Sequence, residues 1–236
     1  MTALVVVHKP DAIHLLSDGA CLDQYGRVES LTSKVALVAA SGAAVAARGP
    51  VGVPHLISSL FGIRDFDPDD EFVPAIQMHI EAFHGFWKNK IPYLDLVAVR
   101  WSHKQQKLEH WLAVNHTGYE FLGTQFRPYA MHLRDADQFV APMPSGDALA
   151  TVGWKCIPKA RDFDPVEDGI RLVSAQRLTA FPLRPDDKDS PVVHGVGGFV
   201  QLTTVAKDSL TTRIIHRWPE DTIGKRIEPL STKAAA

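Results

Sequence analysis

Three short aliphatic runs near the amino end constrain this chain more than any other feature: Leu4-Val5-Val6-Val7, Ala12-Ile13-His14-Leu15-Leu16 and Val35-Ala36-Leu37-Val38. Turn residues part them, first Lys9-Pro10-Asp11 and then Asp23-Gln24-Tyr25-Gly26. Short β-branched and aliphatic runs bounded by such residues read as neighbouring strands, because the side chains fit a pleated, buried surface and the breakers reverse the chain. The apolar stretch from Val35 to Ala47 is interrupted by Ser41-Gly42. It is too short to cross a bilayer and reads as two buried strands joined by a tight turn.

Beyond Arg48-Gly49-Pro50-Val51-Gly52 the apolar period changes from two to helical. Val53, Leu56, Ile57, Leu60 and Phe61 predict a first helix with proline near its start. Phe72, Val73, Ile76, Ile80, Phe83 and Trp87 predict a second, with Asp69 and Asp70 suited to capping it. The period then returns to two. Leu94 to Trp101, Leu108 to Asn115 and Tyr119 to Phe126 predict an antiparallel meander, with a short strand through Phe139 and Val140. Asp162 to Phe181 predicts a helix opened by Asp164-Pro165. Val192 to Ala206 and Leu210 to Ile215 predict closing strands.

Strands, two helices, strands, helix, strands is an order that two antiparallel sheets satisfy when packed face to face between helical layers. The expected class is α+β, a four-layer αββα sandwich. A single domain is expected over residues 1–230, with a frayed tail at 231–236. No repeat at solenoid periods is present.

Composition narrows the function. A net charge of −2 over 236 residues, with Lys and Arg scattered, leaves no footprint for nucleic acid or an anionic membrane. Two cysteines, Cys21 and Cys156, cannot build a disulfide framework, and no apolar leader precedes Thr2, so a cytoplasmic protein is expected. Among the histidines, His79 and His84 are spaced i,i+5, which does not put two ligands on one helical face. No metal site or cofactor is expected. Gly195-Val196-Gly197-Gly198 lacks the Lys-Ser/Thr of a phosphate loop and precedes a strand, so it reads as close backbone approach. Trp101, Trp111, Trp154 and Trp218 read as core or interface anchors.

Three polar residues stand out against this apolar frame. Thr2, Asp18 and Lys34 lie at equal spacing, each at the start or end of a predicted strand, so adjacent strands can gather them at one sheet edge. Removal of Met1 before a residue as small as Thr would leave Thr2 with a free amine. A threonine hydroxyl needs a neighbouring base to become a nucleophile, and an α-amino group titrating near 8 supplies one within the same residue. A lysine ammonium beside them favours the deprotonated amine and hydroxyl through its field, and Asp18 would hold that lysine in place.

Ser17-Asp18-Gly19-Ala20 around the acid and Ser33-Lys34-Val35 around the base, in register with Thr2, resemble the proteasome β-type N-terminal nucleophile (Ntn) hydrolases, and most nearly the HslV-like members. The resemblance covers the whole chain in order and implies the proteasome-like sandwich and a threonine hydrolase cleaving peptide or small amide bonds. It implies a homo-oligomeric ring too. A partner ATPase is raised by the likeness to HslV but specified by no residue.

By the same resemblance Ser145, in Ser145-Gly146, supports the terminal amine. An oxyanion and substrate-binding turn falls at Ala46-Ala47-Arg48-Gly49, so Ala47, Arg48 and Gly49 are candidate binding residues, with Ala46 where glycine is usual. The family's further support is an Asp followed three residues later by Ser-Gly-Gly. Here Val193 and Val196 stand at those positions before Gly197-Gly198, with Asp189-Ser190 upstream as a candidate replacement. The alternative reading is a non-catalytic structural or binding protein on the same fold.

Overall fold

The computed structural model describes residues 2–50, 52–62, 67, 69–86, 93–115, 129–184 and 187–229. Two five-stranded antiparallel sheets form its centre. The first takes the order β10-β1-β2-β13-β14, from β1 (Leu4–His8), β2 (Ala12–Asp18), β10 (Gln138–Ala141), β13 (Phe199–Ala206) and β14 (Ser209–Arg217). The second runs β5-β6-β7-β8-β9, from β5 (Val35–Val38), β6 (Ala43–Arg48), β7 (Asp95–Ser102), β8 (Lys107–Val114) and β9 (His132–Arg134). Two small ribbons flank them: β3 (Ala20–Leu22) with β4 (Val28–Leu31), and β11 (Phe181–Pro182) with β12 (Val192–Val193).

Period-two alternation decides which sheet face each side chain takes. Leu4 and Val6 of β1, Ile13 and Leu15 of β2 and Val205 of β13 meet Val35, Ala44, Ala46, Val97, Val99 and Leu112 of the second sheet in one core between the sheets. The alternate residues face outward. Those of the second sheet pack under α1 (Val53–Phe61) and α2 (Phe72–Phe86) through Ile57, Phe61, Phe72, Ile76 and Ile80. Those of the first sheet, Val5, Val7, Leu16 and Leu202 among them, meet Leu172 and Val173 of α4 (Glu167–Leu178). The protein is therefore α+β, with antiparallel sheets packed on each other and few helices.

Four local expectations are corrected. The predicted helix over Asp162 to Phe181 is shorter, because Asp164 Oδ1 accepts the N–H groups of Val166 and Glu167 at 2.8 and 2.7 Å and makes a turn before α4 opens. Asp69 and Asp70 do not cap α2. Asp69 accepts from Ser102 Oγ and Lys104 N, and Asp70 pairs with Lys104. The Val192 to Ala206 stretch is two strands, β12 and β13, broken at Gly197-Gly198 where φ of Gly198 is 76°. After β10, where no helix is predicted, Pro142 to Ser145 lead into a short one, α3 (Gly146–Thr151). The predicted strand Tyr119 to Phe126 and the tail 231–236 lie outside the described residues.

Among the described residues no helix is long and apolar enough to cross a membrane.

Candidate active site

The β1–β2 register pairs Leu4 with Ser17, which puts Ala3 opposite Asp18 at the sheet end. The next pair in the sheet, Asp18 with Val200, brings the Gly197-Gly198 turn to the same point. Lys34 enters β5 from the second sheet, one residue before the Val35–Ala46 pair. Strand pairing therefore delivers two chain segments to one carboxylate, and the packing of the second sheet on the first delivers Lys34.

Asp18 is fully engaged. Its Oδ1 accepts from Lys34 Nζ and from the Ala3 N–H, both at 2.9 Å, and its Oδ2 accepts the N–H groups of Gly197 at 3.0 Å and Ala20 at 3.2 Å. Asp18 is 0% and Lys34 2% exposed. A buried carboxylate is tolerated only when ion pairing and hydrogen bonds replace its lost hydration, and here four donors do so. The ion pair ties one sheet to the other. Thr2, buried at 4% exposure, is one peptide from this carboxylate, since the bonded Ala3 N–H belongs to the Thr2–Ala3 linkage.

Other expected site residues have different surroundings. Ser145 is the exposed N-cap of α3. Its hydroxyl accepts from the Ala148 N–H at 3.2 Å, and its own N–H donates to Thr179 Oγ1 at 3.0 Å. Nothing described links it to Asp18 or Lys34. Ala47 and Arg48 end β6, and the Val35–Ala46 register sets Ala47 level with Lys34. The Arg48 guanidinium turns to Asp95 at 2.7 Å and lies over the Tyr93 ring. Gly49 has φ of 122°, and a Cβ there would come within 2.4 Å of the Tyr93 carbonyl oxygen, so the turn needs glycine.

Val193 pairs with Phe181 in β12 and Val196 is buried in the core against α4, so neither offers a polar group. The upstream pair does not replace them. Ser190 Oγ accepts the Arg184 N–H and the Asp189 N–H donates to Asp187, which keeps both residues within their own loop.

What holds Gly197-Gly198 in place escaped the sequence reading. Arg177, in the last turn of α4, pairs with Asp221 through two bonds of 2.6 and 2.8 Å and donates to the Val196 carbonyl at 3.2 Å. Asp221 accepts the Gly198 N–H at 2.6 Å. A Cβ on Gly197 would lie 2.3 Å from Asp221 Oδ2 and 2.7 Å from Arg177 Nη1. The two glycines thus donate in succession to two buried carboxylates, Asp18 and Asp221. Gly-Gly in the sequence was the available signal; its partners, far away in the chain, carried none.

A second buried polar cluster lies at the far end of β1. His8 Nε2 and His110 Nδ1 are 2.7 Å apart, joining β1 to β8 across the two sheets. Burial lowers the His110 pKa from 6.5 to about 3, with His8 and Arg134 adding to the effect. Burial also lowers that of His8, opposed by Asp137 and Asp135. A cleft of about 380 Å³ opens beside His8, Arg134, Asp135 and Asp137. Among the described residues no group of three or more His, Cys, Asp or Glu side chains is placed to hold a metal ion.

The site at Asp18 thus joins a buried ammonium, a fully bonded carboxylate and the peptide of Thr2, an arrangement able to bias protonation at whatever group Thr2 presents. No protein-family model matches this chain, and a search of curated proteins finds no relative.

Proposed function

We propose that the protein is a threonine-type Ntn hydrolase, its two sheets and covering helices forming the four-layer αββα sandwich of the proteasome β and HslV-like proteins. One observation carries the reading. The Lys34–Asp18 pair is buried, bridges the sheets and is bonded through Ala3 to the chain segment that bears Thr2.

In this mechanism Met1 is removed and the Thr2 amine becomes the base. Thr2 Oγ1 attacks the amide carbonyl as its proton passes to that amine, and the C–N bond breaks as the amine returns the proton to the leaving nitrogen. Water then hydrolyses the acyl ester and restores Thr2. Lys34 favours the deprotonated states by its field, and Asp18 fixes Lys34. N–H groups in the Ala47-Arg48-Gly49 turn, whose first residue is level with Lys34, supply the oxyanion donors. A cytoplasmic setting and assembly into a homo-oligomer belong to the same reading.

A second reading, a non-catalytic protein on this fold, is favoured by specific observations. Val193 and Val196 offer no hydrogen bond to an amine, and the Ser145 hydroxyl is committed to a helix cap.

Intact-mass spectrometry separates the two. The hydrolase begins at Thr2 and gains one adduct per chain from an epoxyketone or lactone directed at terminal threonine. Thr2→Ala gains none and loses amide cleavage while keeping the fold. A chain that retains Met1 and takes no adduct would falsify the enzyme and leave the second reading.

A further inference from the structure

The hydrolysis mechanism uses Asp18 and Lys34 but not the second buried ion pair beside them. Arg177 is 3% and Asp221 6% exposed. Besides its two bonds to Asp221, the guanidinium shares Glu220 Oε1 at 3.1 Å on the rim and lies over the Trp218 ring at 4.8 Å. Burial strips such a pair of its hydration, so its place in the fold asks for a reason.

Two peptide units lie between this pair and Asp18. A trans peptide turns its C=O and its N–H to opposite edges, and here every edge is bonded. In the Val196–Gly197 unit the carbonyl accepts from Arg177 Nη1 at 3.2 Å, and the N–H donates to Asp18 Oδ2 at 3.0 Å. In the Gly197–Gly198 unit the order is reversed. Its N–H donates to Asp221 Oδ2 at 2.6 Å, and its carbonyl accepts the N–H groups of Gly19 and Ala20, both at 3.0 Å. Those two residues follow Asp18 directly in the chain. Only bare backbone fits the gap, since a Cβ on Gly197 would lie 2.7 Å from Arg177 Nη1.

The signs of charge agree along both units. A cation on a peptide oxygen makes the N–H of that unit a better donor, an anion on the N–H makes the oxygen a better acceptor, and bonds in such a chain reinforce one another. Arg177 thus strengthens the Gly197 bond to Asp18. Asp221 strengthens the grip of the Gly197 carbonyl on the segment that carries Asp18.

We infer that Arg177 and Asp221 are positioning residues for Asp18: through the peptides of Gly197 and Gly198 they fix the orientation of its carboxylate, and with it the place of Lys34. The catalytic consequence, a lowered proton affinity of the Thr2 amine, rests on the hydrolase reading. The link to Asp18 does not.

The test has two readouts on the full chain. The first is the amide proton of Gly197 in the magnetic resonance spectrum of chain isotope-labelled at its 16 glycines only. Charge-assisted bonds to carboxylates are expected to set Gly197 and Gly198 downfield of the other glycines. Arg177→Met and Asp221→Asn, each close in shape to the residue it replaces, are expected to move Gly197 upfield. Phe163→Leu, a loss in the same core under α4, is expected to leave it in place. If the two neutral variants do not fold, Arg177→Lys is measured instead; it keeps the cation without the two-pronged grip, and Gly197 is expected to move part of the way. The second readout is the acid limb of kcat/KM for amide cleavage. With Lys34 held less firmly its field at Thr2 weakens and the amine binds its proton more tightly, so the limb is expected to rise by about half a pH unit in the same variants and to stay in Phe163→Leu.

A Gly197 resonance indifferent to the changes at Arg177 and Asp221 overturns the inference, whether or not the chain cleaves amides. So does a limb that stays in place in variants whose Gly197 has moved, and the hydrolase then stands without this support. A wild-type chain that cleaves nothing, but whose Gly197 moves as expected, removes the hydrolase and keeps the link to Asp18.

Discussion

The two tips of β1 solve one problem in opposite ways. At the Ala3 end a full ion pair is buried and every oxygen of Asp18 is bonded. At the His8 end a half-buried imidazole meets a buried one, burial lowers the pKa of both, and His110 Nε2 has no partner among the described residues. Both contacts bridge the sheets, so either would serve to clamp them. The difference lies in what each can do beyond that. A charged, saturated cluster imposes a field on whatever is beside it, whereas a neutral pair responds to protons and imposes little.

The largest expected effect tests the charged end. Lys34→Ala leaves the Asp18 carboxylate buried without its cation and should cost about 3–5 kcal/mol in equilibrium urea unfolding. Lys34→Met with Asp18→Asn should recover a good part of that. A single-variant loss under about 1 kcal/mol would show the pair to be incidental, and the contrast between the tips would collapse.

Next comes the neutral end. Below pH 6.5 an unfolded imidazole takes up a proton, whereas folded His110 does so only near 3. The unfolded state therefore binds more protons between those values, and stability falls as pH drops through that window. The loss should amount to a few kcal/mol, on the order set by 1.4 kcal/mol per pKa unit, with His8 acting in the same direction. His110→Asn should flatten this part of the curve. A wild-type curve that is flat from 6.5 to 3 would mean that the imidazoles titrate freely.

Smaller effects sharpen the picture at the charged tip. Gly198→Ala must adopt φ of 76° and bring a Cβ within 2.7 Å of Leu31 Cδ2, which should cost about 1–3 kcal/mol by thermal melting. Ser145→Ala should cost about 1 kcal/mol, the value of a helix cap. If cleavage is found, that variant should keep its rate, whereas a fall of a hundredfold or more would bring Ser145 into the chemistry.

Much of this was readable from the chain. The β1, β2, β5 and β6 strands follow from aliphatic runs between breakers, and the meeting of Asp18 with Lys34 follows from strand ends at equal spacing. The Arg177–Asp221 clamp was not readable, because each residue looks like an ordinary surface charge until α4 is folded against the loop at Gly197. Ser145 misled through a two-residue match; the short helix after it, lacking a strong apolar stripe, left its capping role hidden. The histidine pair was missed for another reason. His8 shares the alternation of Leu4 and Val6, and His110 that of Leu108 and Leu112, so both faced the inter-sheet core on parity alone. Spacing rules for metal ligands do not look across sheets.

Because β1 is fastened at both tips, its length is a specification. Inserting or deleting one residue between Ala3 and His8 would invert the parity of one part of the strand, either pulling the Ala3 amide from its acceptor or swinging an imidazole away from the opposite sheet. Point substitutions there can be absorbed by repacking, but a frame-preserving indel cannot. Among variants of this protein, the stretch from Ala3 to His8 should differ in side chain and never in number.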